Sequence, residues 1–230
     1  MGTDIHMAVE TFDGERWVSA TEFADEYGEG YFSPKSEVYG GRNYALFSIL
    51  AGVRNGRGFA GVKTGDGFNV IAEPRGVPDD ASSEVFKWMS QGDHTPSWLT
   101  VAEMMAFDWT QTTTLQGVVT LKEWARWKGA GEPDAYAGGV SGPRVNHHPA
   151  ETVEATWESI GSPPVWDLYW ERGDGLARLA SALGDGDHYT SVRWNKLYSE
   201  CCTDFLGNTM PKLWRLGKPE HVRICFWFDS

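Results

Sequence analysis

The sequence predicts an α+β fold: a mostly antiparallel sheet with helices packed against it, and the first and last strands inside that sheet. Three observations carry this. Residues 3–12 alternate, with Ile5, Met7 and Val9 on one face and Asp4, His6, Ala8 and Glu10 on the other. Asp13-Gly14 then turns the chain into a short second strand around Arg16-Trp17-Val18, which makes a β-hairpin. The run Val222-Arg223-Ile224-Cys225-Phe226-Trp227-Phe228 near the other end is apolar on both faces, the mark of a central strand. Between them lie separate helical patterns with no recurring βαβ period and no internal repeat, which selects α+β over α/β.

After the hairpin, residues 20–39 are acidic and glycine-bearing, with Tyr27, Tyr31, Phe32 and Tyr39, and read as a covering loop. The stretch 40–56 follows. Leu46, Phe47, Leu50 and Val53 form one helical face, Asn43 stands at the N-cap position, and Asn55-Gly56 is the expected stop. Residues 57–66 are glycine-rich, Phe68–Ile71 is at best a short strand, and Pro74–Asp80 is a rigid loop. A helix of about ten residues through Val85, Phe86 and Met89 is expected to end near Gly92.

Thr100-Val101-Ala102-Glu103 is a capping box, with Leu99 and Met104 spaced as its hydrophobic staple. Thr120-Leu121-Lys122-Glu123 repeats the pattern with Val119 and Trp124, and its helix is expected to stop at Gly129. Thr112–Val119, between the boxes, reads as a strand. Residues 129–150 carry five glycines and three prolines and read as a long mobile loop within a single domain spanning 1–230. Val153–Glu158 reads as a strand, and Pro163-Pro164 breaks the chain before Trp166-Asp167-Leu168-Tyr169-Trp170. Asp174 is placed to cap a helix with Leu176, Leu179, Ala180 and Leu183 on one face and Gly184 closing it. Residues 188–196 alternate as a strand, and helical pieces are expected over 198–206 and 210–216, with Pro211 in a tolerated first turn.

Composition narrows the function classes. With 230 residues, 41% of them apolar and 23% charged, the chain is long enough for a real core and unlike a disordered one. A net charge of −12 and the lack of any dense basic run argue against a nucleic-acid polymer as partner. There is no 18-residue apolar run and no signal-peptide core, so no membrane is expected and the cytoplasm is the expected compartment. Three cysteines, two of them adjacent at Cys201-Cys202, are not a disulfide framework. The outlier is aromatic content, with 12 Trp, 11 Phe and 8 Tyr, which suits thick packing layers, a ligand pocket or a homo-oligomer interface.

The chemistry-bearing candidates are of two kinds. Asp4 and His6 share a strand face, and Asp93-His94 and Asp187-His188 add two more Asp/His pairs. Asp4, His6 and His94, with Asp108 or His188 completing the shell, would suit a metal-dependent hydrolase. No His-Glu-x-x-His or Cys-x-x-Cys spacing supports that set, and dispersed histidines more often serve as hydrogen-bonded structural groups. There is no Gly-x-Ser-x-Gly elbow, His147-His148 lies in the expected loop, and Gly56-Arg57-Gly58 with Gly61 is too irregular for a nucleotide fingerprint.

The second kind is a binding vocabulary. A two-glycine loop, Gly40-Gly41, leads through Arg42 and Asn43 into a helix N-terminus at Tyr44, which is how backbone N–H groups and a guanidinium come to hold an anion. Arg54, Arg57 and Arg193 add bidentate donors, while Tyr44, Trp98 and Trp194 offer faces for a base. The competing structural reading is a capped core helix and arginines that pair with some of the 32 carboxylates.

The opening Met1-Gly2-Thr3-Asp4-Ile5-His6, Gly41-Arg42-Asn43-Tyr44 with Val53-Arg54-Asn55, Pro74-Arg75-Gly76-Val77-Pro78, Ser97-Trp98-Leu99-Thr100 and Phe226-Trp227-Phe228-Asp229 together resemble a family of small proteins found in bacteriophage genomes and some bacteria. The likeness spans the chain, and the family brings no assigned catalytic residue. The resemblance implies a phage-type accessory protein made in the bacterial cytoplasm. Its expected role is to sequester a small anionic ligand, most concretely a cyclic nucleotide immune messenger, without cleaving it and without a cofactor. The expected binding residues are Gly41, Arg42, Asn43, Tyr44, Arg54, Trp98, Arg193 and Trp194. Two other readings stand beside it: the metal-dependent hydrolase, and an acidic inhibitor of a host nucleic-acid-binding protein.

Overall fold

The computed structural model describes residues 2–25, 31–127, 129–162 and 174–230. Its strands are β1 (Asp4–Phe12), β2 (Trp17–Ser19), β3 (Phe23–Asp25), β4 (Phe32–Pro34), β5 (His94–Thr100), β6 (Thr112–Thr120), β7 (Val145–His148), β8 (Asp187–Leu197) and β9 (Val222–Asp229). Its α-helices are α1 (Tyr44–Ala51), α2 (Ser83–Met89), α3 (Val101–Ala106), α4 (Leu121–Trp127), α5 (Ala150–Ser159), α6 (Gly175–Leu183), α7 (Tyr198–Cys201) and α8 (Met210–Trp214). The architecture is α+β with mostly antiparallel sheets, and β1 and β9 are neighbours in the same one. The chain gathers into two compact units. The first comprises Met1–Asn55, Phe68–Gln111 and Leu197–Ser230, and the second Gly56–Gly67 and Thr112–Lys196. The expected break at Pro163-Pro164, the Trp166–Trp170 segment and Tyr27 lie outside the described residues.

The first unit is built on a four-stranded sheet in the order β2-β1-β9-β5, with antiparallel pairing throughout. The double-sided apolar pattern of β9 does what it predicts: the strand is central, and both of its faces are covered. On one face Ile5, Met7, Val9, Ile224, Phe226 and Phe228 pack against Leu46, Phe47, Ile49 and Leu50 of α1 and against Leu99, Met104 and Phe205. On the other, Ala8 and Cys225 meet Val85, Trp88 and Met89 of α2.

Two helix starts follow from capping chemistry. The Asn43 side chain accepts from the N–H groups of Ala45 (3.0 Å) and Leu46 (3.2 Å), and so satisfies donors that α1 leaves open. At α3 the Thr100 hydroxyl accepts from Glu103 N–H at 3.2 Å, and Glu103 returns to Thr100 N–H at 2.8 Å. Leu99 and Met104, the expected staple, are both fully buried.

Several expectations are corrected. Helix α1 stops at Gly52 rather than at Asn55-Gly56. Gly52 adopts φ +70°, and its N–H bonds back to Phe47 and Ser48 carbonyls, the left-handed ending that glycine makes cheaply. Asn55 instead brackets Phe68, accepting from its N–H at 2.7 Å and donating to its carbonyl at 2.9 Å. The box at α4 forms only half. Glu123 N–H reaches Thr120 Oγ1 at 3.2 Å, but the Glu123 carboxylate turns to the N–H groups of Asp134 (2.8 Å) and Ala135 (3.3 Å). Phe68–Ile71 forms no strand, and the covering segment 20–39 carries the small β3–β4 hairpin.

The second unit holds a three-stranded sheet in the order β6-β8-β7, in which β7 and β8 pair in parallel. Strand β7 and the bridge between Val118 and Ala137 fall within or against 129–150, the stretch expected as one long loop. The expected strand Val153–Glu158 is instead the body of helix α5. Val153, Trp157 and Ile160 recur at i, i+4, i+7 and pack with Leu121, Leu179 and Leu183, so the decisive period is helical. Asp174 stands at the N-cap of α6 without a side-chain capping bond.

Candidate functional site

Polar side chains concentrate at the end of the first unit's sheet, where β1 begins, β9 ends and β5 begins. The register puts Asp4 opposite Asp229, His6 opposite Trp227 and His94 opposite Phe228. The loop before α1 delivers Glu37 and Arg42 to the same place, and the residues after α1 deliver Arg54.

Arg42 grips Asp4 in a bidentate pair through one guanidinium edge, with Nε 2.6 Å from Asp4 Oδ1 and Nη2 on Oδ2. The hydrogen bond and charge of Arg42 hold the Asp4 carboxyl below its ordinary range. The Arg42 guanidinium lies so close to Gly2 that a Cβ there would meet Nη1 at 2.6 Å. Arg54 reaches the next residue, its Nε donating to Thr3 Oγ1 at 2.8 Å, while its guanidinium carbon lies 5.7 Å from the centre of the Tyr44 ring. The Tyr44 hydroxyl accepts from Thr3 N–H at 3.3 Å. Both guanidinium groups therefore converge on Gly2–Asp4.

His6 is stacked on Trp227, ring centres 4.2 Å apart. Its Nε2 lies 3.1 Å from Asp229 Oδ2, and its Nδ1 lies 3.4 Å from Glu37 Oε1. A carboxylate thus stands at each ring nitrogen of His6. His94 places Nε2 at 3.1 Å from Ser230 Oγ and Nδ1 at 3.0 Å from Thr95 Oγ1. The chain is bent to do so. The register of β5 shifts between His94 and Ser97, and Thr95 is held at φ +51°, a conformation that a β-branched residue adopts only under constraint.

The structure thus brings together Asp4, His6, Gly41, Arg42, Asn43, Tyr44, Arg54 and His94 from the sequence reading. It gives several of them other work. The Asn43 carbonyl oxygen caps α1, and its amide donates to the Cys201 carbonyl at 2.7 Å, so the helix N-terminus is closed by its own cap. A Cβ on Gly41 would meet the Tyr39 hydroxyl at 2.6 Å, and one on Gly40 would meet Glu37 Oε2 at 2.7 Å. The two glycines admit side chains rather than form an open cradle.

Trp98 lies elsewhere in this unit, opposite Cys225, four residues along β9 from Asp229 or about 13 Å. Its ring is occupied by Arg75 (4.6 Å) and Arg223 (5.3 Å). Arg193 and Trp194 belong to the second unit. There Arg193 binds both oxygens of Asp66 at 2.6 and 2.7 Å, and Trp194 is buried edge-on to Tyr136, so its faces are core surface.

The metal set finds its donor atoms already engaged: Asp4 by Arg42, His6 by two carboxylates, His94 by two hydroxyls. Asp108 is bonded to the Thr110 hydroxyl and N–H, which lower its pKa, and His188 belongs to the second unit. Among the described residues no group of three or more His, Cys, Asp or Glu side chains is arranged to hold a metal ion. The Cys202 thiol is pushed up to about 12 by burial, which leaves it a packing group rather than a nucleophile.

Sequence reasoning missed Glu37, Trp227, Asp229 and Ser230. Asp229 carried a usable signal, since antiparallel pairing of the first and last strands puts Asp4 beside it. Glu37 carried none. No protein-family profile, curated protein or solved structure matches the chain, so the site is read on its own geometry. No helix among the described residues is long and apolar enough to cross a membrane.

Proposed function

We propose that the protein is a phage-type accessory protein that binds and sequesters a small anionic ligand, most concretely a cyclic nucleotide immune messenger, at the end of the first unit's sheet. The observation that carries this reading is the convergence of Arg42 and Arg54 on Gly2–Asp4, beside the Tyr44 ring. A phosphate there meets the Arg42 guanidinium, which can give paired hydrogen bonds, with the Arg54 charge and the Tyr44 ring close by. The Arg42–Asp4 pair is roughly half exposed on each side (54% and 44%), and surface ion pairs hold weakly. A phosphate would compete with the Asp4 carboxylate for Arg42.

The reading is one of binding without turnover. What supports it is that His6 and His94 each have polar partners near both ring nitrogens and that Cys202 is a buried thiol. The test is to incubate the protein with a panel of cyclic mono- and dinucleotides, desalt it, and weigh the complex by native mass spectrometry. Heat then releases the ligand for analysis. Retention of one ligand class, recovered at unchanged mass and lost in Arg42→Ala, is the expected result. A protein that retains nothing, or returns an altered ligand, overturns the proposal.

A further inference from the structure

The second unit contains a histidine pair that the binding site does not use. His188, on β8, is buried, and His148 ends the parallel neighbour β7. His148 Nε2 lies 3.0 Å from His188 Nδ1, and His188 Nε2 lies 3.0 Å from the Gly184 carbonyl, just past the end of α6. A carbonyl only accepts, so His188 Nε2 carries the hydrogen. In the neutral ring Nδ1 is then the acceptor, and the hydrogen between the rings belongs to His148 Nε2. One tautomeric arrangement satisfies the whole relay. It ties together the end of α6, the middle layer of the sheet and the corner where β7 passes through Pro149 into α5.

We propose that His148 and His188 form an acid-released latch that holds the β7–α5 corner to β8. Once both rings are protonated, two N–H groups face each other at 3.0 Å and the bond between the rings is lost. A proton added at His148 Nδ1 keeps the bond but places a cation against the first turn of α5, where the helix dipole is positive. Burial, His188 and His147 all hold the His148 pKa below its ordinary value of 6.5. The charges on the surrounding elements do not relieve this. Glu151, Glu154 and Glu158 on α5 and Asp185 and Asp187 at the start of β8 are exposed. Arg178 of α6 is held by the Ile160 carbonyl, Arg193 of β8 by Asp66, and Lys196 by Glu132. Because the folded pKa is depressed, the latch is whole above the unfolded value. It weakens as pH falls through that value, and the loss is complete below the folded one.

Hydrogen exchange on the intact protein tests this, read at backbone amides and corrected for intrinsic rates between about pH 7.5 and about pH 5. Opening of 145–148 and 150–159 is expected to rise about fivefold on acidification, the change that one net hydrogen bond carries, while β1 and β9 stay protected. His148→Gln removes the titration of His148, and its amide can donate to a neutral His188 or accept from a protonated one, so its profile is expected to be flat. An unselective rise, no rise, or an identical rise in His148→Gln overturns the latch. Nitrogen-15 spectra of the wild-type imidazoles give an independent reading that needs no variant: His188 hydrogenated at Nε2 alone near neutral pH agrees, and any other state refutes it.

Discussion

Strand β1 carries two carboxylate–arginine pairs that look alike on paper and behave as opposites. At the middle of the sheet Glu10 stands opposite Arg223. Arg223 Nε donates to Glu10 Oε2 at 2.8 Å, its Nη1 reaches Asp80 at 2.8 Å, and its guanidinium lies 4.1 Å from the centre of the Trp17 ring. Arg223 and Glu10 are 1% and 0% exposed. At the end of the same sheet Asp4 and Arg42 meet in solvent. Water decides the difference. A sealed pair must keep its partner because either charge alone is stranded, whereas an exposed pair can trade its partner for another anion. The first belongs to folding and the second is available for binding.

The sharpest way to break this contrast is to remove one member of the sealed pair. Arg223→Ala strands Glu10 in the core, takes the cation from between Trp17 and Trp98, and is expected to cost about 3–5 kcal/mol in urea unfolding. The combined replacement Glu10→Leu with Arg223→Met is expected to recover most of that loss, because the penalty lies in the unpaired charge. If the single and double variants are equally unstable, the pair acts through shape rather than charge.

A medium effect is expected at the start of α1. Asn43 caps α1 and also holds the Cys201 carbonyl, so Asn43→Ala is expected to cost about 1–2 kcal/mol by thermal or urea unfolding. Asn43→Ser keeps a cap acceptor and loses only the amide donor, so its cost is expected to be smaller. Equal costs would mean that the cap contributes nothing at this helix start.

What the sequence disclosed follows the same division. Periodicity and capping residues report on chain segments, so the hairpin at β1–β2, the central β9, the Asn43 cap and the box at Thr100 were all legible. The helix α5 was not, because Val153, Ala155 and Trp157 also satisfy a two-residue alternation, and only the packing of Ile160 and Leu179 beside them separates the periods. That Arg42, Asn43, Tyr44 and Arg54 lie near one another was legible since they flank one helix. Their partners were not. Glu37 and Asp229 come to His6 from separate parts of the chain, and pairing across a sheet leaves no local mark. Trp98 and Trp194 were read as stacking faces from residue type alone, and burial and neighbouring arginines or tyrosine occupy those faces.

The smallest expected effect on folding is the most informative about binding. Arg42→Ala and Asp4→Asn are each expected to leave the unfolding midpoint at the wild-type value, since the pair is exposed and solvent replaces either partner. Their effects on the ligand are expected to diverge: Arg42→Ala loses retention in the native mass experiment, while Asp4→Asn tightens it, because the competing carboxylate has become a neutral amide. The pH dependence follows with its sign. Arg42 holds the folded pKa of Asp4 below 3.8, so whatever stability the pair contributes is present above that value and is lost as pH falls through the folded value. Between about pH 5 and 8 Asp4 stays ionised, and the ratio of Asp4→Asn to wild-type affinity is expected to be constant. Below that range protonation of Asp4 frees Arg42 in the wild type, and the two affinities are expected to converge. An Asp4→Asn variant that binds more weakly than wild type at every pH would mean that Asp4 positions Arg42 for the ligand rather than competing with it.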